Sequence, residues 1–506
     1  MLSESGPEQV MEEEEEEEQS HSHSPPGTPQ AQGSTQSSHR LLAYSDALIS
    51  IIATVMILPV CHTKISADEE LEESLQQLLA TKIAVYVMTF LIVTVAWASH
   101  IRLFQVIERI DDVLALLNLA CMMLITFLPY TFSLMASFPD DPLGILLFCV
   151  SAIVIGLIQA VIVIYGFSRP YLLNTQIQAS QEQTLYKYQI LKMILRAPAF
   201  FLLAAILSFI FCPVAYVVLA LVIFLPYITE CLTWCKSKIR GPKEPRLQRV
   251  PFSNFHSNEP LSKERVEAFS DGVFAIVATL LILDICEDNV PDPKEVAKQF
   301  NGKLIEALSE YGPEFLAYFG SFVTVGLLWF VHHSLFLYIT KPTRLMGLLN
   351  TLSLAFIGGL PLAFRLTHEF TAKSHNEREA IQISCVIIFL ASIFQFAIWA
   401  VALYNEKETL HRHIQYGGKE HAFMFAKLSL YPSMSFVTFC LTYMLSRFST
   451  EIFHLMQIIV PFAFVLLRII VRFALAILKW LFCRSKPKTM ILEEEESIIP
   501  VNEAIS

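Results

Sequence analysis

Arg40-Leu-Leu-Ala-Tyr44-Ser45-Asp46-Ala-Leu-Ile-Ser50-Ile51-Ile-Ala-Thr54 returns 225 residues later as Arg265-Val-Glu-Ala-Phe269-Ser270-Asp271-Gly-Val-Phe-Ala275-Ile276-Val-Ala-Thr279. The offset of 225 holds through Cys61 and Cys286. Further along it becomes 232: Trp97 and His100 match Trp329 and His332, Leu117-Asn118 matches Leu349-Asn350, and Leu128-Pro129 matches Leu360-Pro361. The extra seven residues fall in the loop between the first and second helix of each copy. Matched motifs in fixed order mark an internal duplication.

The surroundings of the two stretches decide the class. The chain of 506 residues is 54% apolar and 16% charged and carries 38 Phe, too apolar for an ordinary soluble protein. Apolar runs of about 20 residues, enough to cross a bilayer as helix, account for most of it. Spans are predicted at 41–62, 83–104, 113–135, 143–166, 189–211 and 213–234, then at 266–286, 312–337, 345–366, 380–403, 422–446 and 452–475. Pro213 leaves hardly any loop between the fifth and sixth. An even number of spans per copy inserts both copies the same way up. The predicted fold is therefore an all-α integral membrane protein of twelve transmembrane helices in two parallel six-helix repeats.

The domain plan follows: an acidic tail over 1–39 read as disordered, a first repeat over 40–234, a basic linker over 235–264, a second repeat over 265–478 and a tail over 479–506. The net charge of −11 is mostly the tail, which holds nine Glu and no basic residue before Arg40. Such segments bury too little apolar area to fold. Lys and Arg crowd the linker, with Arg102, Arg109, Lys479 and Arg484 in loops on the same side; Asp68, Glu69, Glu70, Asp140, Asp141, Glu287 and Asp288 lie in the alternate loops. That asymmetry puts both termini in the cytosol.

Asp46 and Asp271 sit in or beside apolar helices, where a carboxylate needs a partner or water. Arg40, Arg265, His100 and His332 are the candidate partners. A polar clamp holding helix ends together and direct contact with passing ions both fit. Ile51, Thr54 and Leu58 share one helical face, as do Ile276, Thr279 and Leu283, with Ser50 beside the first. Hydroxyls can replace ion hydration and an Ile ring can act as a dewetting constriction; plain helix packing explains the same stripe. Trp97 and Trp329 read as interfacial anchors. His62 and Asp284 mark a candidate luminal mouth.

Nothing points to an enzyme: there is no phosphate-cradling glycine loop, zinc-ligand helix or nucleophile elbow. No cofactor, metal site or nucleic-acid surface is expected. Thr324-Val-Gly-Leu-Leu328 lacks the Tyr-Gly of a carbonyl selectivity filter and lies mid-span, so no such filter is predicted. Twelve spans in parallel halves also fit a secondary transporter, although the middles of the repeated helices are apolar.

The doubled Arg-x-x-x-[Phe/Tyr]-Ser-Asp motif resembles that of the endosomal and lysosomal potassium channel family called transmembrane protein 175, and the resemblance runs from Arg40 to about Arg472. It implies a homodimer in the lipid bilayer with a pseudo-fourfold pore formed by spans one and seven. It also implies K⁺ conduction, H⁺ conduction at acidic luminal pH, residence in endosomes and lysosomes, and regulation through the cytosolic kinase Akt. The family's pore isoleucines fall on Ile51 and Ile276, its pore hydroxyls on Ser50, Thr54 and Thr279. Its structural signature falls on Arg40, Ser45, Asp46, Arg265, Ser270 and Asp271. Tyr44 stands where the family usually has Phe.

Overall fold

In hydrocarbon every backbone N–H and C=O must bond within its own segment, so long apolar runs become helices. The computed structural model of the protein describes residues 36–61, 73–179, 183–240, 262–288, 293–300, 303–310, 312–369, 377–412, 414–415, 417–445 and 448–485. The main helices are α1 (His39–Val55), α2 (Leu58–Cys61), α3 (Glu73–Phe104), α4 (Asp112–Ser137), α5 (Pro142–Ser168), α6 (Gln183–Ser208) and α7 (Cys212–Arg240). They continue as α8 (Lys263–Asp288), α9 (Gly312–Tyr338), α10 (Arg344–Ile357), α11 (Leu360–Glu369), α12 (Glu377–Tyr404), α13 (Lys419–Met444) and α14 (Ser449–Ser485).

Among the described residues, 11 helical stretches are long and apolar enough to cross a membrane. They coincide with the expected spans one to five and seven to twelve. The expected sixth span falls on α7, whose counted apolar stretch is only Cys212–Phe224. A proline in the first turn costs no helical hydrogen bond, so Pro213 lets α7 open at Cys212, only four residues after Ser208 ends α6. Thr324–Leu328 lies inside unbroken α9, with the Thr324 hydroxyl donating to Gly320 O at 2.9 Å, so its carbonyls serve a helix rather than a re-entrant loop.

Side chains cap several helix starts. Asp111 accepts from Leu114 N at 2.9 Å and Asp141 from Leu143 N at 2.8 Å, each satisfying an orphan donor. One exception to the all-helical expectation precedes α1: Gln36–Ser37 (β1) pairs antiparallel with Arg109–Ile110 (β2). Placed structure thus begins within the stretch read as a tail, and α14 carries the other end to Ser485.

Within each half, neighbouring helices pack in turn: α4 on α5, α5 on α6, α6 on α7, and likewise α10 on α12, α12 on α13, α13 on α14. The halves meet along α1 and α8, which run side by side, and one apolar core containing Phe90, Phe132, Phe269 and Phe336 spans both. A smaller cluster (Leu103, Phe104, Ile107, Leu114, Leu172) seats Leu41 and Leu42 at the base of α1. The bridge Ile107–Leu173 beside that base has a mate, Ile339–Leu410, in the second half. Phe462 and Val465 are exposed on α14, as apolar side chains on the outside of a membrane bundle are expected to be.

Candidate functional site

Asp46 is 2% exposed and fully engaged. Its Oδ1 accepts from the Trp97 indole at 2.8 Å and from Arg265 Nη2 at 2.6 Å, and the Arg265 Nε pairs with its Oδ2. Of the candidate partners, then, the arginine of the other copy takes this carboxylate. His100 turns away from it: its Nε2 lies 2.8 Å from Asn118 Oδ1, and the Asn118 amide donates to Ser45 Oγ at 3.1 Å. Ser45 in turn donates to Leu41 O at 2.9 Å. An amide whose nitrogen is spent on Ser45 leaves its oxygen to accept from the imidazole N–H.

The chain recurs in the second half. His332 Nε2 is 2.9 Å from Asn350 Oδ1, Asn350 donates to Ser270 at 3.0 Å and Ser270 to Val266 O at 2.7 Å. Both imidazoles are buried. Both indoles donate to the motif carboxylate, Trp329 to Asp271 at 2.8 Å, a bond the interfacial-anchor reading did not include. The tie between helices one and two of each half is what positions them.

The halves differ in what covers this tie. Over Trp97 lies Phe269 of α8, ring centroids 4.2 Å apart, and Trp97 is 4% exposed. Trp329 is 39% exposed and Asp271 is exposed as well. No lysine or arginine pairs with Asp271 among the described residues. Beside it runs a groove of about 380 Å³ lined by Asp271, Phe274, Ala275, Ala278, Phe322 and Trp329. Arg40 and Tyr44, 225 residues before Arg265 and Phe269, are exposed on α1.

The expected pore residues divide. Ile51 is 37% exposed, Ile276 is half-buried, and Thr279 is exposed with its hydroxyl donating to Ile276 O at 2.8 Å. Ser50 and Thr54 are enclosed; Ser50 donates to Ala47 O at 2.7 Å and Thr54 to Ser50 O at 2.7 Å. Ser50 faces Gly272 across the α1–α8 seam, and a Cβ there would collide with its Oγ. Gly272→Ala will therefore destabilise the folded chain by about 1–3 kcal/mol through overpacking, and Ser50→Ala will recover most of the loss; thermal unfolding of the purified variants checks both. His62 lies outside the described residues, and of Asp284 only its place on α8 is described. Among the described residues no three His, Cys, Asp or Glu converge as metal ligands.

With this geometry in view, the comparisons are specific. The family described as "Endosomal/lysosomal potassium channel TMEM175" matches residues 40–129 and 265–361, the start of each copy. A zebrafish (Danio rerio) protein named endosomal/lysosomal proton channel TMEM175 is 68% identical over 94% of this chain and 92% of its own. The chain belongs to the TMEM175 family. The human protein of the same name is 59% identical over 92% of both chains. A potassium channel of Streptomyces collinus is 37% identical over 27% of this chain and 62% of its own. TMEM175 proteins are ion channels and not enzymes, and this is a multi-pass membrane protein of the endosomal and lysosomal family. Sequence reasoning missed the indole–carboxylate bonds, although Trp97 and Trp329 at matched positions were a signal that they do a shared task.

Proposed function

We propose that two copies of this chain form a K⁺-selective leak channel of endosomal and lysosomal membranes, which also passes H⁺ when the lumen is acidic. The first helix of each repeat, α1 and α8, supplies the wall. Two chains contribute four such helices around one axis, with Ile51 and Ile276 as the hydrophobic constriction. Thr279 supplies a hydroxyl near it, and the enclosed Ser50 and Thr54 act within the packing of α1. Both termini face the cytosol, as the lysines and arginines of the connecting loops favour.

One observation supports the two-copy reading: Arg265 and Phe269 of the other repeat cover Asp46 and Trp97, whereas among the described residues Trp329, stacked on His333 of its own helix, and Asp271 border an open groove. What covers the first pair is Arg265 and Phe269, with Gly272 alongside against Ser50. Their counterparts are Arg40, Tyr44 and Ala47, all exposed on α1 of the same chain. A second copy presents these three residues to the open groove. Arg40 then meets Asp271, the Tyr44 ring covers Trp329, and Ala47 lies on Ala275 as Gly272 lies on Ser50. The contact is reciprocal across a two-fold axis, so the assembly closes at two copies.

The test is reconstitution of the full chain in liposomes under K⁺, Na⁺ and H⁺ gradients, with the mass measured in detergent. The expected result is a particle of two chains that passes K⁺ faster than Na⁺ in single-channel steps, and H⁺ when the side that held the lumen is acidified. A monomeric particle, or flux without unitary steps, overturns it.

A further inference from the structure

Two helices of the bundle are broken, and the segments beyond the two breaks touch. α1 ends at Val55 and α2 starts at Leu58, followed by Pro59; α10 ends at Ile357 and α11 starts at Leu360, with Gly358 and Gly359 between them and Pro361 behind. Their repeat mates are continuous. α8 runs on to Asp288, and α4 passes Thr126, the mate of Gly358, without a break despite Pro129. Glycine pairs and prolines are the usual causes of such kinks. α2 rests on α11, so the far part of helix one leans on the helix that follows the kink of the other half.

At that kink Gly359 N bonds Phe356 O at 3.0 Å, which leaves the Ala355 carbonyl without its helical donor. Tyr86 of α3, 1% exposed, donates its hydroxyl to that carbonyl at 3.1 Å. In α4 the mate of this carbonyl, Met123 O, accepts from Thr126 of its own helix at 2.6 Å. The second half thus uses a side chain of the first half to pair a carbonyl whose mate in unbroken α4 is paired within its own helix. Gly358 is fitted to it: a Cβ there would fall on the Tyr86 hydroxyl, while its next neighbour, Leu354 O, would be at an ordinary 3.4 Å.

We propose that Tyr86 is a positioning residue for permeation. Its hydroxyl holds the α10–α11 kink, beyond which α2 rests on α11, and so fixes the pore helix beyond Ile51. The proposal rests on the reading of α1 as a pore helix.

The experiment compares wild type, Tyr86→Phe, Gly358→Ala and the double variant as full-length dimers in planar bilayers, recording open probability and unitary conductance. Tyr86→Phe keeps the ring and leaves one buried carbonyl unpaired. It is expected to shift the open–closed equilibrium roughly tenfold with dimer mass unchanged. Gly358→Ala is expected to shift it at least as far. On the Tyr86→Phe background Gly358→Ala is expected to add nothing, because the atom it strikes is gone. Unaltered gating in Tyr86→Phe, or additive effects of the two changes, overturns the proposal. If Asn at positions 51 and 276 also leaves permeation unchanged, the pore reading itself has failed; if it alters permeation while Tyr86→Phe does not, only the latch falls.

Discussion

Replacing Ile51 and Ile276 together by Asn will let Na⁺ through at a rate approaching that of K⁺. The two isoleucines stand at matched positions on α1 and α8, one exposed and one half-buried in the single chain. In a ring of four such helices they place a band of branched methyl groups around the axis. A narrow apolar band holds no stable water, so an ion must shed part of its shell to pass, and K⁺ sheds it more readily than Na⁺. Asn has similar bulk but an amide that binds water and ions. The band then wets, the dehydration step disappears and its discrimination goes with it. A loss of roughly tenfold in the K⁺/Na⁺ permeability ratio, about 1.4 kcal/mol, is the expected size. Reversal potentials under bi-ionic conditions measure it. The single replacements are expected to give part of the effect each, since either leaves two isoleucines in the ring.

The two motif arginines will not behave alike, although the sequence writes them identically. Arg265→Ala strips the partner from a carboxylate that is 2% exposed, and breaking a buried pair this way costs about 3–5 kcal/mol. Folded proteins are stable by about 5–15 kcal/mol, so most of this variant is expected to be lost from the membrane fraction. Asp46→Asn is milder, because a neutral amide needs no counter-charge and can still accept from Trp97. Arg40 is exposed, and its alanine variant is expected to leave each chain folded while weakening the dimer. Thermal unfolding and detergent mass separate the two outcomes. Equal loss of folded chain in both variants would contradict the assignment of Arg265 inside the chain and Arg40 between chains.

Span lengths were legible in the sequence because the bilayer dictates them, and α3, α5, α9 and α12 lie where the apolar runs put them. The kinks were less legible. Pro59 and Gly358-Gly359 are signals for them, yet Pro129 sits in an unbroken helix, so proline alone does not decide. The doubled Ser-Asp motif was visible as a polar feature, but not its wiring. Helical spacing says which residues share a face, not which helix of the other half lies against it, and Asp46 takes an arginine 219 residues away. The same limit explains Ser50. The stripe that holds Ile51 places Ser50 only one residue around the helix, and the closeness of Gly272, which no periodicity reports, turns it into a seam residue.

The central claim is that Ile51 and Ile276 of two chains surround one water path. Cysteine at position 51, treated during recording with a small charged thiol reagent and checked for labelling by mass spectrometry, tests it most directly. The account predicts that labelling abolishes nearly all K⁺ current, and that high K⁺ slows the reaction by occupying the path. Complete labelling with the current unchanged would mean that this face of α1 looks onto lipid or another surface, and the account would be wrong.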